Sequence, residues 1–223
     1  MKLAPKHWSW SGPRPGNRWL QDCPPDVPVV WLAGLAQDPA AQSHLAALLS
    51  PEEHARWQRL QLADDRQRFL AARGLLRILV GAHLNVPPER VEFNYGPFGK
   101  PCVASHAAAS GLHFNESHSG DLVVLAFHQL YEVGVDIEKV QPQADCEAIA
   151  AQVFPATEYQ DWSRLQPEAR LTAFFRAWTR LEARLKTSGR GIAAAGESSP
   201  DPRLVCFDLL LPAGYQGAVC LRG

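Results

Sequence analysis

Residues 131–138 constrain the fold most, because apolar and acidic side chains alternate there as in a half-buried strand. One face would carry four side chains that can enter a core: Tyr131, Val133, Val135 and Ile137. The other face would carry Asp136 and Glu138, whose carboxylates point the same way and repel each other. A bound cation relieves such repulsion, and hard oxygen ligands suit Mg²⁺. The alternative is an amphipathic strand whose acidic end is simply solvated.

Residues 167–186 predict a long helix that ends at the glycine-rich segment 187–191. Trp178, Glu182 and Lys186 are spaced four apart and therefore share one face, with Phe174 one turn earlier. The simpler interpretation is a surface Glu–Lys pair. The aromatic start of the row favours an inward-facing position instead, where a glutamate and a lysine need polar partners. A metal ion and a phosphate would supply both, which points to phosphoryl-group chemistry.

Composition is typical of a globular protein, with 223 residues, 46% of them apolar, and a formal net charge of −1. The charge gives no sign of a nucleic-acid partner. No stretch approaches 18 uncharged apolar residues, and residues 1–28 lack an apolar signal core, so neither a membrane span nor a secretory signal is expected. Five separated cysteines without CxxC spacing predict reduced thiols in a cytoplasmic protein.

The pattern along the chain predicts an α+β protein without a βαβ series, preceded by an irregular arm at residues 1–26. Strands are predicted at 27–35, 113–115, 121–128, 133–138, 203–211 and 218–221. Helices are predicted at 50–60, with Ser50 as N-cap and Glu53 completing a capping box, and at 64–84, 145–153, 156–165 and 167–186. Residues 93–103 are expected to be a loop, and 133–138 to form a hairpin with 122–127.

Two further segments carry polar groups that suit a phosphate or a nucleotide. Lys100 lies in a glycine- and proline-rich loop, and Ser117 and His118 lie at a predicted turn between strands. Each also has an ordinary interpretation, as an exposed loop lysine or as a simple turn. The arginines of the second helix are spread over different faces, so most of them are expected to be solvated.

Taken in order, five motifs resemble the Sfp-type 4′-phosphopantetheinyl transferases over most of the chain. They are residues 49–52 with the arginine-rich helix after them, 99–101, 114–120, 134–138 and 178–186. The resemblance implies a pseudo-two-fold fold of two similar α+β halves, 27–111 and 112–223, the second carrying the metal-binding acids. It also implies transfer of 4′-phosphopantetheine from coenzyme A to a serine of an apo acyl or peptidyl carrier protein, with release of 3′,5′-ADP.

The resemblance also assigns roles to residues. The metal ligands, for Mg²⁺ or Mn²⁺, would be Asp136, Glu138 and Glu182. The residues that hold coenzyme A would be Arg56, Arg68, Lys100, Pro101, Ser117, His118 and Lys186. Catalysis would depend on Lys186, which contacts the pyrophosphate, and on Glu182, which would take the serine proton unless a metal-bound water does so. No nucleic acid or membrane would take part, and a monomer is expected.

Two positions depart from the family pattern. Leu181 stands where the family usually has lysine before the helix glutamate, and Glu53 stands where some relatives have a basic residue. Leu181 is expected to pack against neighbouring apolar groups. These departures keep a second hypothesis open, a catalytically weak paralogue that binds carrier protein or coenzyme A without efficient transfer. A metal-dependent hydrolase of nucleotide pyrophosphates is a third, more remote one.

Overall fold

The structure is a computed structural model that describes residues 1–8, 20, 24–35, 38–96, 99–104, 111–142, 145–189 and 201–223. Its helices are α1 (Pro39–Ala47), α2 (Pro51–Arg59), α3 (Ala63–Leu84), α4 (Cys146–Val153), α5 (Ala156–Ser163) and α6 (Pro167–Ser188). Its strands are β1 (Lys2–Leu3), β2 (Lys6–His7), β3 (Val29–Gly34), β4 (Phe93–Tyr95), β5 (Pro101–Val103), β6 (His113–Ser119), β7 (Leu122–His128), β8 (Glu132–Lys139), β9 (Leu204–Leu209) and β10 (Tyr215–Arg222).

Two four-stranded sheets repeat one plan, with strand orders β2-β3-β7-β6 and β1-β9-β10-β8. At one edge of each sheet lies a two-residue strand that is parallel to its neighbour: β2 pairs with β3, and β1 pairs with β9. All other neighbouring strands in the two sheets are antiparallel. A 22-residue helix accompanies each sheet, α3 the first and α6 the second. The α+β fold with two similar halves is therefore confirmed.

The core lies in layers, because the inner strands are apolar on both faces. Val30, Val124, Val135 and Val219 belong to one cluster, which packs the two sheets face to face. The outer face of the first sheet packs on α3 through a second cluster. The second sheet packs on α6, where Ala183 meets β10. The edge strands β6 and β8 come together where the sheets meet, and the predicted site residues of both strands gather there.

Strand pairing differs from the prediction at β8. The expected hairpin between residues 133–138 and 122–127 is wrong: β8 pairs antiparallel with β10, and β7 lies between β3 and β6. The connection Gln129–Tyr131 therefore carries the chain from one sheet to the other instead of closing a hairpin. Both strands are apolar enough for either pairing, so the choice depends on the sheets as wholes.

Several local predictions also need correction. Residues 93–103 are not simply a loop, since β4 and β5 form a small hairpin. Helix α1 was not predicted, although its N-cap Asp38, which accepts a hydrogen bond from Ala41 N, precedes a proline as such starts often do. Part of the expected irregular arm forms β1 and β2. Strands β6 and β7 lie in the same sheet as β3, and the division after residue 111 stays a prediction.

The sequence predicted that the cysteines are reduced thiols, but two of them are not. Cys206 and Cys220 lie directly opposite each other on β9 and β10, and they form a disulfide. Antiparallel pairing brings their Cα atoms to 4.1 Å, a proximity that spacing along the chain does not reveal. Cys102 and Cys146 are free thiols, and Cys23 lies outside the described residues.

None of the helices in the described ranges combines the length and apolar character needed to cross a membrane.

Candidate active site

The site is built where α6 crosses β8 at Gly134. A side chain at that position would collide with the Ala183 carbonyl oxygen and the Thr187 amide nitrogen of α6. The absence of a side chain therefore lets the helix backbone touch the strand. The close crossing brings Lys186 over Asp136, two residues further along β8. Gly189, with φ 67°, then ends the helix in the left-handed region.

Asp136 lies at the centre of the site and is 3% exposed. Its Oδ1 accepts hydrogen bonds from Lys186 Nζ at 2.6 Å and from Ser117 Oγ at 2.8 Å. Lys186 Nζ also lies 3.1 Å from Ser117 Oγ, so the three side chains form one cluster. Burial raises the pKa of the Asp136 carboxyl, although the Lys186 ammonium opposes that shift. The cluster joins the edges of both sheets to α6.

Glu138 and Glu182 add two more carboxyl groups to this region. Glu138 Oε2 accepts a hydrogen bond from Ser119 Oγ at 2.7 Å. Burial raises the pKa of Glu138, and the charge of Asp136 raises it further. Burial likewise raises the pKa of Glu182, with Asp136 again contributing. The charges of Asp136, Glu138 and Glu182 therefore influence one another.

The described part of the chain contains no group of three His, Cys, Asp or Glu side chains close enough to hold a metal ion. The donor set nevertheless fits a hard cation. Asp136 Oδ2 is buried and has no hydrogen-bond partner among the described residues. A buried carboxylate oxygen without a partner is costly, and a cation would satisfy it while Oδ1 kept its contacts with Lys186 and Ser117.

Lys100 points towards the end of α6. Its Nζ donates to the carbonyl oxygens of Lys186 at 2.8 Å, Val133 at 2.9 Å and Thr187 at 3.0 Å. Burial lowers the pKa of Lys100 to about 8. The ammonium thus contacts main-chain groups of both elements that carry the site. Pro101, the next residue, is buried in β5 opposite Tyr95.

The predicted coenzyme A contacts lie on two sides of β6. Ser117 is buried and faces Asp136, whereas the adjacent His118 is exposed and, by the alternation of a strand, faces the opposite side. Arg68 Nε lies 3.4 Å from the Gly120 carbonyl oxygen, on the turn that follows β6. Arg56 stacks over the Phe69 ring of α3 at 5.4 Å from the ring centroid. Of these residues, Ser117 therefore belongs to the cluster around Asp136, whereas Arg68 lies against the turn after β6 and Arg56 against α3.

An open cleft of about 250 Å³ adjoins the end of α6. Among the residues that line it are Lys100, Pro101, His113, Glu132, Ser188 and Gly189. Burial lowers the pKa of His113, so its imidazole is biased towards the neutral form. This cleft lies at the opposite end of β6 and β8 from Ser119 and Glu138.

A buried ionic network near α2 was missed by the sequence analysis. Glu53 completes the predicted capping box with Ser50, but its carboxylate also accepts a 2.6 Å hydrogen bond from Arg77 Nε. Arg73 Nε lies 3.6 Å from the same carboxylate, and Arg73 Nη2 donates to Glu116 at 3.3 Å. Arg73 and Arg77 are therefore buried, which corrects the expectation that most arginines of this helix are solvated. The negative charge of Glu53 offsets part of the positive charge of Arg73 and Arg77.

Leu181 is 9% exposed and belongs to the buried apolar residues of α6. The expectation that it packs in place of the family lysine is therefore confirmed.

Comparison with known proteins identifies the class to which this fold and site belong. Residues 38–130 match the family model "4′-phosphopantetheinyl transferase, N-terminal", and residues 132–208 match the model of the 4′-phosphopantetheinyl transferase superfamily. The two models cover most of the chain, which belongs to the 4′-phosphopantetheinyl transferase family. It is accordingly an enzyme that transfers phosphopantetheine.

Individual relatives agree along most of their lengths. The 4′-phosphopantetheinyl transferase HetI of Nostoc sp. is 39% identical over 185 residues, 83% of this chain and 77% of HetI. The transferase psf-1 of Bacillus pumilus is 34% identical over 80% of this chain and 81% of its own. The transferase Sfp of Bacillus subtilis is 28% identical, with 78% and 82% covered. The predicted resemblance to Sfp-type enzymes is confirmed.

Proposed function

We propose that the chain transfers 4′-phosphopantetheine from coenzyme A to a serine of an apo acyl or peptidyl carrier protein. The observation that carries this proposal is the Asp136–Ser117–Lys186 cluster with one buried carboxylate oxygen left without a described partner. Such a cluster suits a pyrophosphate with its cation. The family membership makes phosphopantetheine the transferred group.

The reaction would be one displacement at phosphorus. The serine oxygen of the carrier protein forms a bond to the β-phosphorus, and the bond from that phosphorus to the bridging oxygen breaks. The electron pair leaves with that oxygen, and 3′,5′-ADP departs. Lys186 would contact the pyrophosphate and stabilise charge that develops on it. Its ammonium already lies in the cluster, so a small shift from Asp136 would bring it to an anion.

Glu182 is suited to take the serine proton. It lies one helical turn before Lys186 on the same face of α6, and it is partly exposed. Burial raises the pKa of its carboxyl, which makes the ionised form a better proton acceptor than an ordinary surface glutamate. Its proximity to Asp136 would let it serve the metal as well.

Asp136, Glu138 and Glu182 would hold Mg²⁺, with Mn²⁺ as a substitute. The fit rests on the oxygen-only donor set and on the unpartnered Asp136 Oδ2. When bound, the metal would neutralise phosphate charge and polarise the reacting phosphoryl group. Ser117 and Ser119 would orient the Asp136 and Glu138 carboxylates through the hydrogen bonds that they already donate.

Coenzyme A would lie along the edge formed by β6, β8 and the hairpin that follows α3. Support comes from Arg68, which lies against the turn after β6, and from His118, which is exposed on β6. The family resemblance adds Arg56, which lies against Phe69 of α3. At the other end of this edge, Lys100 and Pro101 border the open cleft. We further propose that the enzyme acts as a cytoplasmic monomer.

The test is mass spectrometry of an apo carrier protein incubated with the chain, coenzyme A and Mg²⁺. The expected result is a carrier protein heavier by one phosphopantetheine group, with 3′,5′-ADP in equal amount. Excess EDTA should abolish the change, because the donor set suits a hard cation. Free 4′-phosphopantetheine together with 3′,5′-ADP and an unmodified carrier would indicate a hydrolase. Binding without any product would favour the weak paralogue.

A further inference from the structure

We infer that Lys100 is a positioning residue that holds the end of α6 against β8 and thereby places Lys186 over Asp136. This inference rests on the proposed function for its catalytic consequence. The sequence suggests instead a direct phosphate contact, since Lys100 lies between a glycine and a proline in a loop. The two roles make different predictions about catalysis and binding.

The geometry of the ammonium carries the inference. A lysine has three N–H donors, and Lys100 Nζ has three carbonyl partners within 3.0 Å: Val133, Lys186 and Thr187. Its donors are thus matched by main-chain acceptors. A phosphate could gain such a donor only if one of these carbonyl oxygens gave up its hydrogen bond from Lys100.

The partners belong to the two elements that build the site. Lys186 and Thr187 contribute carbonyl groups in the last turn of α6, where the intrahelical hydrogen-bond pattern runs out. The negative end of the helix dipole also lies there and favours a cation. Val133 lies in β8 next to Gly134, the residue at which the helix touches the strand. One ammonium therefore joins the end of α6 to β8 beside their closest approach.

Lys100 is itself held in place. Gly99 takes a φ of 79°, which permits the turn before it, and the Lys100 carbonyl oxygen accepts a hydrogen bond from Gly96 N. Pro101 follows in the β4–β5 hairpin. Because the main chain of Lys100 is held in the hairpin and its ammonium is held by three carbonyl oxygens, the side chain can connect the hairpin to α6. Loss of the connection should loosen the last turn, which carries Lys186.

The test compares Lys100→Met with wild type, using coenzyme A and 3′-dephospho-coenzyme A as substrates. Positioning predicts a kcat about 10–100-fold lower with both substrates, the range found when supporting contacts are removed from an active site. The KM for coenzyme A should change little. Lys139→Met is the matched control, because Lys139 pairs with Asp121 at the surface. This control should leave both constants unchanged.

Amide hydrogen exchange supplies a readout that does not require transfer. Residues 183–189 should exchange faster in Lys100→Met than in wild type and in Lys139→Met. If Lys100→Met does not fold, Lys100→Gln is measured by the same criteria, since it lacks the charge but keeps N–H donors. If the wild-type protein shows no transfer activity, the proposed function is refuted. The hydrogen-exchange result would still test whether Lys100 positions the end of α6.

Two results would overturn the inference. One is a raised KM for coenzyme A with unchanged kcat and no effect on 3′-dephospho-coenzyme A, since that pattern indicates direct contact with the 3′-phosphate. The other is unaltered exchange in residues 183–189 in the folded variant.

Discussion

Asp136 shows how one side chain can meet several demands of this site. It is buried, it pairs with Lys186, and its Oδ2 has no hydrogen-bond partner among the described residues. Removing its charge should therefore disturb metal binding and the placement of the lysine together. The strand around it should change little, because the core-facing positions of β8 are Val133, Val135 and Ile137.

We expect Asp136→Asn to lower turnover by at least about 10–100-fold, the cost already seen for residues that only support metal ligands. Glu182→Gln should lower it comparably, because it removes both a ligand and the proton acceptor. Steady-state kinetics with coenzyme A and a carrier protein measure both effects, and circular dichroism should remain near wild type. Glu168→Gln, at an exposed position in the first turn of α6, is the control. Near-normal turnover of Asp136→Asn would refute the proposed site.

Leu181→Lys tests the departure from the family pattern. Leu181 is buried, so the ammonium of a lysine at this position would lose its contact with water, at a cost of roughly 2 kcal/mol or more. We expect a lower Tm by thermal unfolding and no gain in transfer. A clear gain in transfer at unchanged Tm would instead mean that the family lysine restores a weakened enzyme.

The close packing of α6 on β8 depends on the absence of a side chain at Gly134. At Gly134 the helix backbone occupies the space that a Cβ would need. Thr187, which contributes to this contact, is buried, and its Oγ1 donates a hydrogen bond to the Ala183 carbonyl oxygen. The obstacle is thus main chain, which yields much less readily than a flexible side chain.

Gly134→Ala should destabilise the fold by about 1–3 kcal/mol or more, as overpacking of a tight interior does. The matched control is Gly34→Ala in β3, where an added Cβ would meet no described atom within 4 Å. Chemical denaturation of both variants measures the free energy of unfolding. Equal stability of the two would show that α6 can withdraw from β8 without cost. If the Gly134 variant still folds, its transfer rate should also fall, because the displaced helix carries Lys186.

Considered over the whole molecule, the three acids of the site should make the free energy of unfolding depend on pH. Burial raises the pKa of Asp136, Glu138 and Glu182 above their ordinary values. The folded state thus binds these protons more tightly than the unfolded state does. The stabilisation from these groups is present below the ordinary carboxyl pKa and is lost as pH rises through the raised values.

Under the proposed function, Mg²⁺ should offset that loss, because it would bind the ionised carboxylates. At 100 times its Kd it would add about 2.7 kcal/mol, or roughly 5–10 °C in Tm for a chain of this size. The gain should be larger at pH 7.5 than at pH 5, where more of the acids are protonated. Thermal unfolding with and without Mg²⁺ at the two pH values measures it. The gain should shrink in Asp136→Asn, and an equal gain at both pH values would argue against these acids as ligands.

Sequence periodicity was enough to place the candidate site on its elements. Alternation put Asp136 and Glu138 on one face of β8, and four-residue spacing put Glu182 and Lys186 on one face of α6. Both patterns follow from the geometry of a single strand or helix, so they can be read without knowing the rest of the fold. The capping box at Ser50 and Glu53 was predictable for the same reason.

Tertiary structure alone decided which groups meet across the chain. The pairing of β8 with β10, the Cys206–Cys220 disulfide and the burial of Glu53 between two arginines join segments that are distant in sequence. The direction of Lys100 belongs with them, since its acceptors lie 33, 86 and 87 residues away. Local patterns specify which face a side chain occupies, but its partner depends on how sheets and helices pack, because that packing balances burial and hydrogen bonding over the whole fold.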